Sequence, residues 1–398
     1  MKLLFDATEL SYYNDNSGHK AGVYYVALNL LRQFQNLGID VTLYCDFKRY
    51  YSLKQIKEFE NFEILKENSK FNLLLSKLIY LSRNFPIRLK YAILILIRFY
   101  DSWFYKINKK NCEQLKQFEV YFSPFSPESK EIEASGLKIF RMVHDVIPIL
   151  ENGYPKTPKD WHYKIYKTIN DKNFYLTNSE NTGKDVLKYF PFIKEENIKT
   201  TLLAANGNFY PSKDKSPIDG KYIFSLCTLG KRKNLIFAIK NFFEFINKNN
   251  IDDLKLVLGG SIWKKYESEL NNVLSLYDKS KIVVTGYIVE EELRNYYSNA
   301  LCFIYPSLYE GFGLPVLEAM QCGCPVITSK ISSLPEVIGD CGILIDPKSD
   351  DEMQKAYEKM YFNSEFRISC SKKGLERSNQ FSWEKCAREI LDFISSKM

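Results

Sequence analysis

Short apolar runs alternate with helical patterns along the chain, and the first half opens with such a unit. Residues 2–5 form an apolar run, residues 14–22 a polar loop that contains glycine, and residues 23–37 a helical pattern that Gly38 ends. A second apolar run follows at residues 39–45. This order of strand, loop, helix and strand predicts the start of a parallel sheet. Further strand-like runs in this half are residues 120–122, 138–143 and 174–177.

The second half repeats the alternation after a change in composition. Residues 206–220 combine glycine, proline, serine and charged residues, and we interpret them as an interdomain linker. Six strand-like runs with helical patterns between them then predict a second doubly wound α/β domain. Ligands of such sheets bind outside the carboxyl ends of the strands, so we expect the chemistry on post-strand loops at a cleft between two domains. The six runs are residues 222–226, 254–258, 281–285, 302–305, 325–328 and 342–345.

Composition narrows the function classes. A chain of 398 residues suits two α/β domains. Its 55 basic and 48 acidic residues give a net charge of +7, which suits an anionic ligand or an anionic membrane surface, and we find no motif for binding nucleic acid. The nine cysteines include no Cys-x-x-Cys pair, and the N-terminus lacks the apolar core of a signal peptide. These features predict a reduced, cytoplasmic protein.

One stretch, residues 70–110, is basic and rich in aromatic and aliphatic side chains. It holds nine Lys or Arg residues and a single acidic residue, Asp101. These charges interrupt the roughly 18 apolar residues that a membrane span requires. A stretch of this kind can lie on an anionic membrane surface. It can equally be a helical excursion packed on its own domain, and the periodicity leaves both interpretations open.

The strongest candidate for chemistry is the segment at residues 305–327, in which an apolar run is followed by a glycine-containing loop and a helical pattern. Glycine lets a ligand approach the backbone, and the free N–H groups of a helix N-terminus attract anions such as phosphate. Glu310 precedes the helical pattern and Glu318 lies inside it, with seven residues between them. The two carboxylates can therefore reach different parts of one extended ligand.

Two further segments place polar residues directly after apolar runs. Basic residues at positions 231–233 open a helical pattern, which is typical of an anion site or of a solvated helix start. His144 follows the run at residues 138–143, where a histidine serves either in catalysis or in the core. No Asp-x-Asp triplet, the usual bridge between a metal and a diphosphate, occurs in the chain.

The segment with the two glutamates resembles the Glu-x7-Glu motif of retaining GT-B glycosyltransferases, and of glycosyltransferase family 4 in particular. The resemblance implies a GT-B fold, two Rossmann-like domains on either side of a central cleft. It also implies that Glu310 contacts the hydroxyls of the donor sugar and that Glu318 holds the ribose. The backbone that would bind phosphate and sugar belongs to Gly311, Phe312, Gly313 and Leu314.

Other segments are similar to motifs of the same family. Segment 225–243 resembles its phosphate-binding segment, and segment 140–148 resembles its His-Asp-x-x-Pro motif on the acceptor side. Segments 177–187, 285–300 and 331–347 match in order without an assigned role of their own, except for the nucleobase contact at Ile288. The residues carried over are Lys233 as main diphosphate ligand with Arg232 in support, Thr228 where many members have arginine, His144 and Asp145 at the transferred sugar, Gly22 in a glycine-containing loop, and Ile288.

The resemblance implies a retaining, metal-independent hexosyltransferase with no cofactor besides its nucleotide-sugar substrate. The expected domains are residues 1–207 and 208–380, with a last helix at 381–398 that packs on the first. GDP-mannose is the first candidate for the sugar donor, and a saccharide or lipid-linked saccharide of O-antigen or lipopolysaccharide assembly is the expected acceptor. Two alternatives remain, a non-catalytic glycan-binding partner subunit and a sugar-nucleotide epimerase. The expected location is the cytoplasm, including the inner face of the cytoplasmic membrane.

Overall fold

The computed structural model describes residues 1–12, 22–66, 69–86, 88–89, 92–93, 95, 97, 113–153, 161–226, 230–261 and 264–398. These residues form two compact units. The first unit comprises residues 1–177, 185–201 and 383–398, and the second comprises residues 178–184 and 202–382. The chain therefore passes from one unit to the other four times, and residues 178–184 are a short insertion of the second unit into the sequence of the first.

The first unit is built on a seven-stranded sheet whose strand order is β3-β2-β1-β4-β5-β6-β7. Neighbouring strands of this sheet pair in parallel. Strands β3 and β7 were not predicted, because two or three residues are too few to form an apolar run. The strands are β1 (Lys2–Asp6), β2 (Asp40–Tyr44), β3 (Glu63–Ile64), β4 (Val120–Ser123), β5 (Lys138–Val143), β6 (Phe174–Thr177) and β7 (Ile198–Thr200).

The second unit is built on a six-stranded parallel sheet of order β10-β9-β8-β11-β12-β13. All six strands lie at the predicted runs, within one residue at most ends, and the prediction of two doubly wound α/β sheets is confirmed. Strand order reverses between β8 and β11, as it does between β1 and β4 in the first unit. The strands are β8 (Lys221–Leu226), β9 (Leu254–Gly259), β10 (Ile282–Gly286), β11 (Cys302–Tyr305), β12 (Val326–Ser329) and β13 (Ile343–Ile345).

Helices follow most strands, as expected for parallel sheets. No helix within the described ranges is long and apolar enough to span a membrane. In chain order the helices are α1 (Thr8–Ser11), α2 (Gly22–Asn36), α3 (Phe47–Lys54), α4 (Lys70–Leu81), α5 (Lys130–Glu133), α6 (Ile147–Asn152), α7 (Trp161–Lys167), α8 (Glu180–Tyr189), α9 (Leu235–Lys248), α10 (Lys264–Leu274), α11 (Glu290–Asn299), α12 (Leu314–Gln321), α13 (Leu334–Ile338), α14 (Asp350–Phe362), α15 (Ser364–Ser378) and α16 (Trp383–Ser396).

The last helix, α16, belongs to the first unit although it ends the chain. Its buried side chains recur every three or four residues, which is the spacing of one helix face. The Phe393 ring lies edge-on to Phe140 of β5 and Phe174 of β6, with ring centroids 5.9 and 6.2 Å apart. This face therefore completes the core beside those two strands. Its other buried side chains are Trp383, Cys386, Ala387, Ile390 and Ile394.

The interpretation of residues 206–220 as an interdomain linker was wrong. The chain enters the second unit at residue 202, and the whole segment belongs to that unit. Asn206 donates to the Glu290 carboxylate at 2.9 Å, and the Ser212 backbone N–H donates to the Ser298 hydroxyl at 3.0 Å. Glycine, proline and serine are typical of turns, whether these turns lie in a linker or within a domain. Here the turns pack against helix α11 of the second unit.

An ion pair is buried in the core of the first unit. Arg141 of β5 donates to Glu128 across 2.9 Å, and both side chains are 1% exposed. Arg141 also donates to the Thr168 hydroxyl and to the Ile165 carbonyl, while Asn173 donates to the second oxygen of Glu128. One buried cation therefore joins the segment after β4 to the segment that leads into β6.

We expect Glu128→Gln to lower the free energy of unfolding by about 3–5 kcal/mol, because it leaves the Arg141 charge buried without its counterion. Urea denaturation measures the change. Glu384→Gln is the matched control, since Glu384 pairs with Arg388 on the exposed face of α16 and such a pair contributes only about 0.3–0.5 kcal/mol. If both variants lost the same free energy of unfolding, the buried pair would stabilise the protein no more than the exposed pair, and the prediction would be wrong.

Candidate functional site

The loops that follow β8 and β11 come together where the strand order of the second sheet reverses. The two strands are hydrogen-bonded neighbours, so their carboxyl ends lie at the same edge of the sheet. This is the place where open α/β sheets bind ligands. The Leu308 backbone N–H donates to the Arg232 carbonyl at 2.9 Å and joins the two loops directly.

Glu310 carries the negative charge at this place and faces two cations. Its Oε1 atom lies 2.5 Å from Lys233 Nζ and 2.9 Å from an Arg232 guanidinium nitrogen. Burial disfavours the ionised carboxylate, but Lys233 and Arg232 together outweigh burial and hold the pKa of Glu310 at about 2. The site thus contains an ionised carboxylate and two cations within hydrogen-bonding distance.

Tyr305, the last residue of β11, holds Lys233 in place. Lys233 Nζ lies 2.5 Å from the Tyr305 hydroxyl and 4.8 Å from the centroid of its ring. Residues Lys231–Lys233 form a 3-10 turn that ends at Asn234, whose φ of 58° is left-handed and whose side chain donates to the Pro347 carbonyl. Sequence reasoning identified the basic residues but assigned Tyr305 no role beyond ending a strand.

The backbone of the loop before α12 is held at each carbonyl. Ser333 donates to the Glu310 carbonyl at 2.9 Å and the Phe312 carbonyl at 2.8 Å. The Gly311 carbonyl accepts hydrogen bonds from the hydroxyls of Ser179 and Thr182, at 2.7 and 3.1 Å. Helix α12 has no side-chain cap, and within the described ranges the N–H groups of residues 311–314 meet no hydrogen-bond acceptor. The loop therefore offers several N–H groups to a ligand.

Gly313 is required at the last position of this loop. Its φ of 115° is a conformation that side-chain-bearing residues rarely adopt. A Cβ atom built there would lie 2.8 Å from Cδ2 of Leu334. Gly313 thus permits both the backbone turn into α12 and close packing against α13.

Glu318 lies one turn into α12 in a different environment. Burial raises the pKa of its carboxyl to about 7, the Tyr297 hydroxyl opposes that rise from 3.0 Å, and the Glu290 charge adds to it. Glu318 is therefore much more readily protonated near neutral pH than Glu310, which stays ionised. The two glutamates of one motif differ in charge because only one of them has cations beside it.

Ile288 follows β10 and is buried. A Cβ atom added at Gly259, the last residue of β9, would lie 2.9 Å from Cδ1 of Ile288. The Gly260 N–H donates to the Gly286 carbonyl at 2.7 Å, which joins the ends of β9 and β10. Ile288 therefore lies at the same carboxyl edge of the second sheet as the charged cluster.

The remaining predicted residues belong to the first unit or fall outside the description. His144 follows β5, and its Nε2 atom lies 2.7 Å from the Pro124 carbonyl. Burial lowers the pKa of His144. The carbonyl oxygen can only accept, so Nε2 carries a hydrogen and donates it. Asp145 accepts the Ile147 N–H at the start of α6, and Gly22 is the first residue of α2. Thr228 lies outside the described residues.

Comparison with known proteins identifies the domain that carries the charged cluster. Residues 208–377 match the family model for glycosyl transferases group 1. This part of the chain is similar to the domain of group 1 glycosyl transferases. The predicted resemblance is confirmed by this match, and it covers Lys233, Glu310, Glu318 and Ile288.

Two relatives from Escherichia coli are named as mannosyltransferases. O-antigen chain mannosyltransferase B is 29% identical over 241 residues, which are 57% of this chain and 62% of the relative. The serotype-specific mannosyltransferase WbdA is 32% identical over 267 residues, which are 63% of this chain and 32% of the relative. The chain thus spans less than two thirds of the length of either relative.

Solved structures with the same fold are glycosyltransferases of the GT-B type. Sucrose-phosphate synthase from Thermosynechococcus elongatus superposes with a TM-score of 0.68 at 15% identity, over 100% of this chain and 98% of that one. Anabaena HepE, solved with UDP and glucose, gives a TM-score of 0.67 at 14% identity over the full length of both chains. At these identities the likeness establishes the fold, and the predicted GT-B fold class is confirmed.

We expect the Glu310 ion pairs to make stability depend on acidity. A carboxyl whose pKa falls from 4.5 to about 2 on folding contributes stability that is complete above pH 4.5 and is lost as the pH falls toward 2. Glu310→Gln lacks this contribution, so the free energy of unfolding of the variant should be about 3 kcal/mol below that of wild type at pH 7. Urea denaturation should show a smaller difference at pH 3. Glu384→Gln, which removes the exposed pair with Arg388, serves as control, and a difference independent of pH would contradict the assignment.

Proposed function

We propose that this protein is a retaining glycosyltransferase that moves a hexose from a nucleotide sugar to a saccharide or lipid-linked saccharide acceptor. The observation that carries the proposal is the cluster of Lys233, Arg232 and Glu310 beside the N–H groups of residues 311–314, which meet no acceptor in the part of the chain that the structure describes. Cations and N–H groups suit a diphosphate, and a carboxylate suits sugar hydroxyls. The cluster lies in the part of the chain that matches group 1 glycosyl transferases.

In the proposed reaction Lys233 and Arg232 turn from Glu310 to the diphosphate of the sugar donor. This exchange frees the ionised Glu310 carboxylate to accept hydrogen bonds from sugar hydroxyls. The bond from the anomeric carbon to the phosphate oxygen breaks, and a bond from that carbon to the acceptor oxygen forms on the same face. The acceptor's proton passes to the departing phosphate oxygen, whose charge the two cations and the helix N–H groups stabilise.

The roles of the other predicted residues belong to this proposal. Glu318 would hold the ribose, and the backbone near Ile288 would meet the nucleobase. His144 and Asp145 would contact the transferred sugar, and Gly22 would belong to a glycine-containing loop of the first unit. We propose transfer without a bound metal, because Lys233 and Arg232 supply the positive charge for the diphosphate and the chain has no Asp-x-Asp triplet.

The proposed sugar donor is GDP-mannose, and the proposed setting is O-antigen or lipopolysaccharide assembly. Support comes from the two relatives named as mannosyltransferases of E. coli. HepE, which shares the fold at 14% identity, has been solved with UDP-glucose, so UDP sugars belong in any test panel. A sugar-nucleotide epimerase would convert the nucleotide sugar without an acceptor, and a glycan-binding subunit would bind saccharide without turnover.

We expect one nucleoside diphosphate and its sugar to raise the melting temperature, with or without EDTA. The panel contains GDP-mannose, UDP-glucose, UDP-galactose and dTDP sugars, each followed by a transfer assay with saccharide acceptors. Lys233→Ala should weaken binding about tenfold or more, since one charge-assisted contact contributes about 1.5–3 kcal/mol. Lys240→Ala, on the exposed face of α9, should bind as wild type does. Equal binding by Lys233→Ala, or loss of binding in EDTA, would contradict the proposed site.

We also propose that helix α4 contacts an anionic membrane surface, where a lipid-linked acceptor would lie. The small polar residues Asn72 and Ser76 form its buried face, and Ser76 accepts the Tyr51 N–H of α3. Four of its apolar residues are exposed instead, and so are Lys70 and Lys77. An exposed apolar and basic face suits an anionic lipid surface. The exposed apolar side chains are Phe71 (51%), Leu74 (56%), Leu78 (36%) and Leu81 (44%).

We expect the protein to sediment with phosphatidylglycerol vesicles and not with phosphatidylcholine vesicles. Lys70→Gln with Lys77→Gln should weaken this binding about tenfold or more, at about 1 kcal/mol for each lysine. Leu74→Gln with Leu78→Gln should weaken it at unchanged charge. Lys172→Gln with Lys194→Gln removes the same charge from another exposed part of the first unit and should have less effect. Equal loss in all three pairs would indicate net charge alone, and the proposed surface would be wrong.

A further inference from the structure

The first turn of α8 contacts the loop that carries Glu310, although more than a hundred residues separate them in sequence. Residues 178–184 group with the second unit. The Gly311 carbonyl accepts hydrogen bonds from the hydroxyls of Ser179 and Thr182, at 2.7 and 3.1 Å. Asn181 donates to the Tyr309 hydroxyl at 2.7 Å. Ser179 and Thr182, whose hydroxyls donate to Gly311, are both buried, so no water competes for this carbonyl.

Further hydrogen bonds fix the positions of Ser179 and Thr182 at the start of α8. The Thr182 N–H donates to Ser179 Oγ at 3.1 Å. The Ser179 hydroxyl lies 2.7 Å from the Gly311 carbonyl and 3.0 Å from Thr182 Oγ1, and the carbonyl is the nearer and stronger acceptor. The Glu336 carboxylate of α13 accepts the N–H groups of Glu180 and Asn181, each at 2.8 Å, and so caps the start of α8. The turn is thus anchored on both sides of the hydroxyls that it presents.

Peptide planarity links this contact to the ligand side of the loop. A trans peptide points its C=O and its N–H in opposite directions. Because Ser179 and Thr182 hold the Gly311 carbonyl, the Phe312 N–H of the same peptide points away from α8. This N–H is one of those that meet no acceptor among the residues described for the chain. The Ser333 hydroxyl holds the carbonyls of the two neighbouring peptides. A rotation of the Gly311–Phe312 peptide alone would break its hydrogen bonds with Ser179 and Thr182.

We propose that Ser179 and Thr182 are positioning residues for sugar-donor binding, which they serve by fixing the Gly311–Phe312 peptide so that its N–H faces the diphosphate or sugar. The inference rests on the proposed function and adds residues that lie outside the matched family domain. Without the two hydroxyls the carbonyl has no partner in its buried place, and the peptide rotates toward other partners. The N–H then no longer points consistently at the ligand.

The test compares a variant that lacks both hydroxyls with a variant that keeps them. Ser179→Ala with Thr182→Val removes both hydroxyls at similar volume, and Thr182→Ser alone keeps its hydroxyl. We expect the double variant to raise the KM for the nucleotide sugar about tenfold or more, because two net hydrogen bonds are lost. The KM for the acceptor should stay within about twofold, and Thr182→Ser should keep the wild-type donor KM. Ser378→Ala, which removes a hydroxyl–carbonyl bond within α15 of the same unit, is the matched control.

Each outcome decides the inference. A raised donor KM in the double variant supports it, provided that Thr182→Ser and Ser378→Ala both keep the wild-type donor KM. An unchanged donor KM, or equal changes for donor and acceptor, overturns it. Hydrogen exchange on the amides of residues 308–317 separates this result from the proposed function. If wild type transfers no sugar, faster exchange in the double variant still reports the loss of peptide fixation, whereas unchanged exchange overturns the inference by itself.

Discussion

The balance of charge around Glu310 is the constraint on which the second unit depends. An ionised carboxylate lies buried at the edge of a parallel sheet, and it is stable there only because Lys233 and Arg232 lie within 3 Å of it. Those two cations come from the loop after β8, and the carboxylate comes from the loop after β11. The pairing therefore requires the strand order that makes β8 and β11 neighbours, and it fixes the two loops against each other.

The same charge balance explains why two glutamates of one motif behave differently. Both are removed from water, which raises the pKa of any carboxyl. Glu310 has two cations beside it and stays ionised, while Glu318 has a phenol and a second carboxylate nearby and titrates near neutral pH. A ligand whose hydroxyl groups contact both carboxylates therefore meets two different electrostatic environments, although the two glutamates belong to one motif.

Much of the fold could be predicted from the sequence. Strands β5, β6 and β11 and helix α12 lie where the patterns predicted them, because buried parallel strands leave continuous apolar runs. The interpretation of residues 206–220 failed because composition reports turns and does not report which unit a segment packs against. Short strands such as β3 carry too few residues to leave a pattern.

The charged centre of the site was also visible in sequence, since Lys233 and Glu310 belong to local motifs. Its supporting residues were not assigned. Tyr297, Tyr305 and the serines that hold the loop act through contacts between distant segments, which local spacing cannot reveal. Segment 177–187 matches the family in its position along the chain, but only the fold shows that the hydroxyls of Ser179 and Thr182 contact Gly311.

The short insertion at residues 178–184 has a consequence for recombination between relatives. A chimaera spliced at residue 208 would exchange the whole matched domain yet keep the recipient's own turn against the exchanged loop. The hydroxyls, the Glu336 cap and the Gly311 carbonyl would then come from two different parents. The natural module for exchange is discontinuous, and a graft that carries residues 178–184 along with residues 202–382 keeps the loop and its support from one lineage.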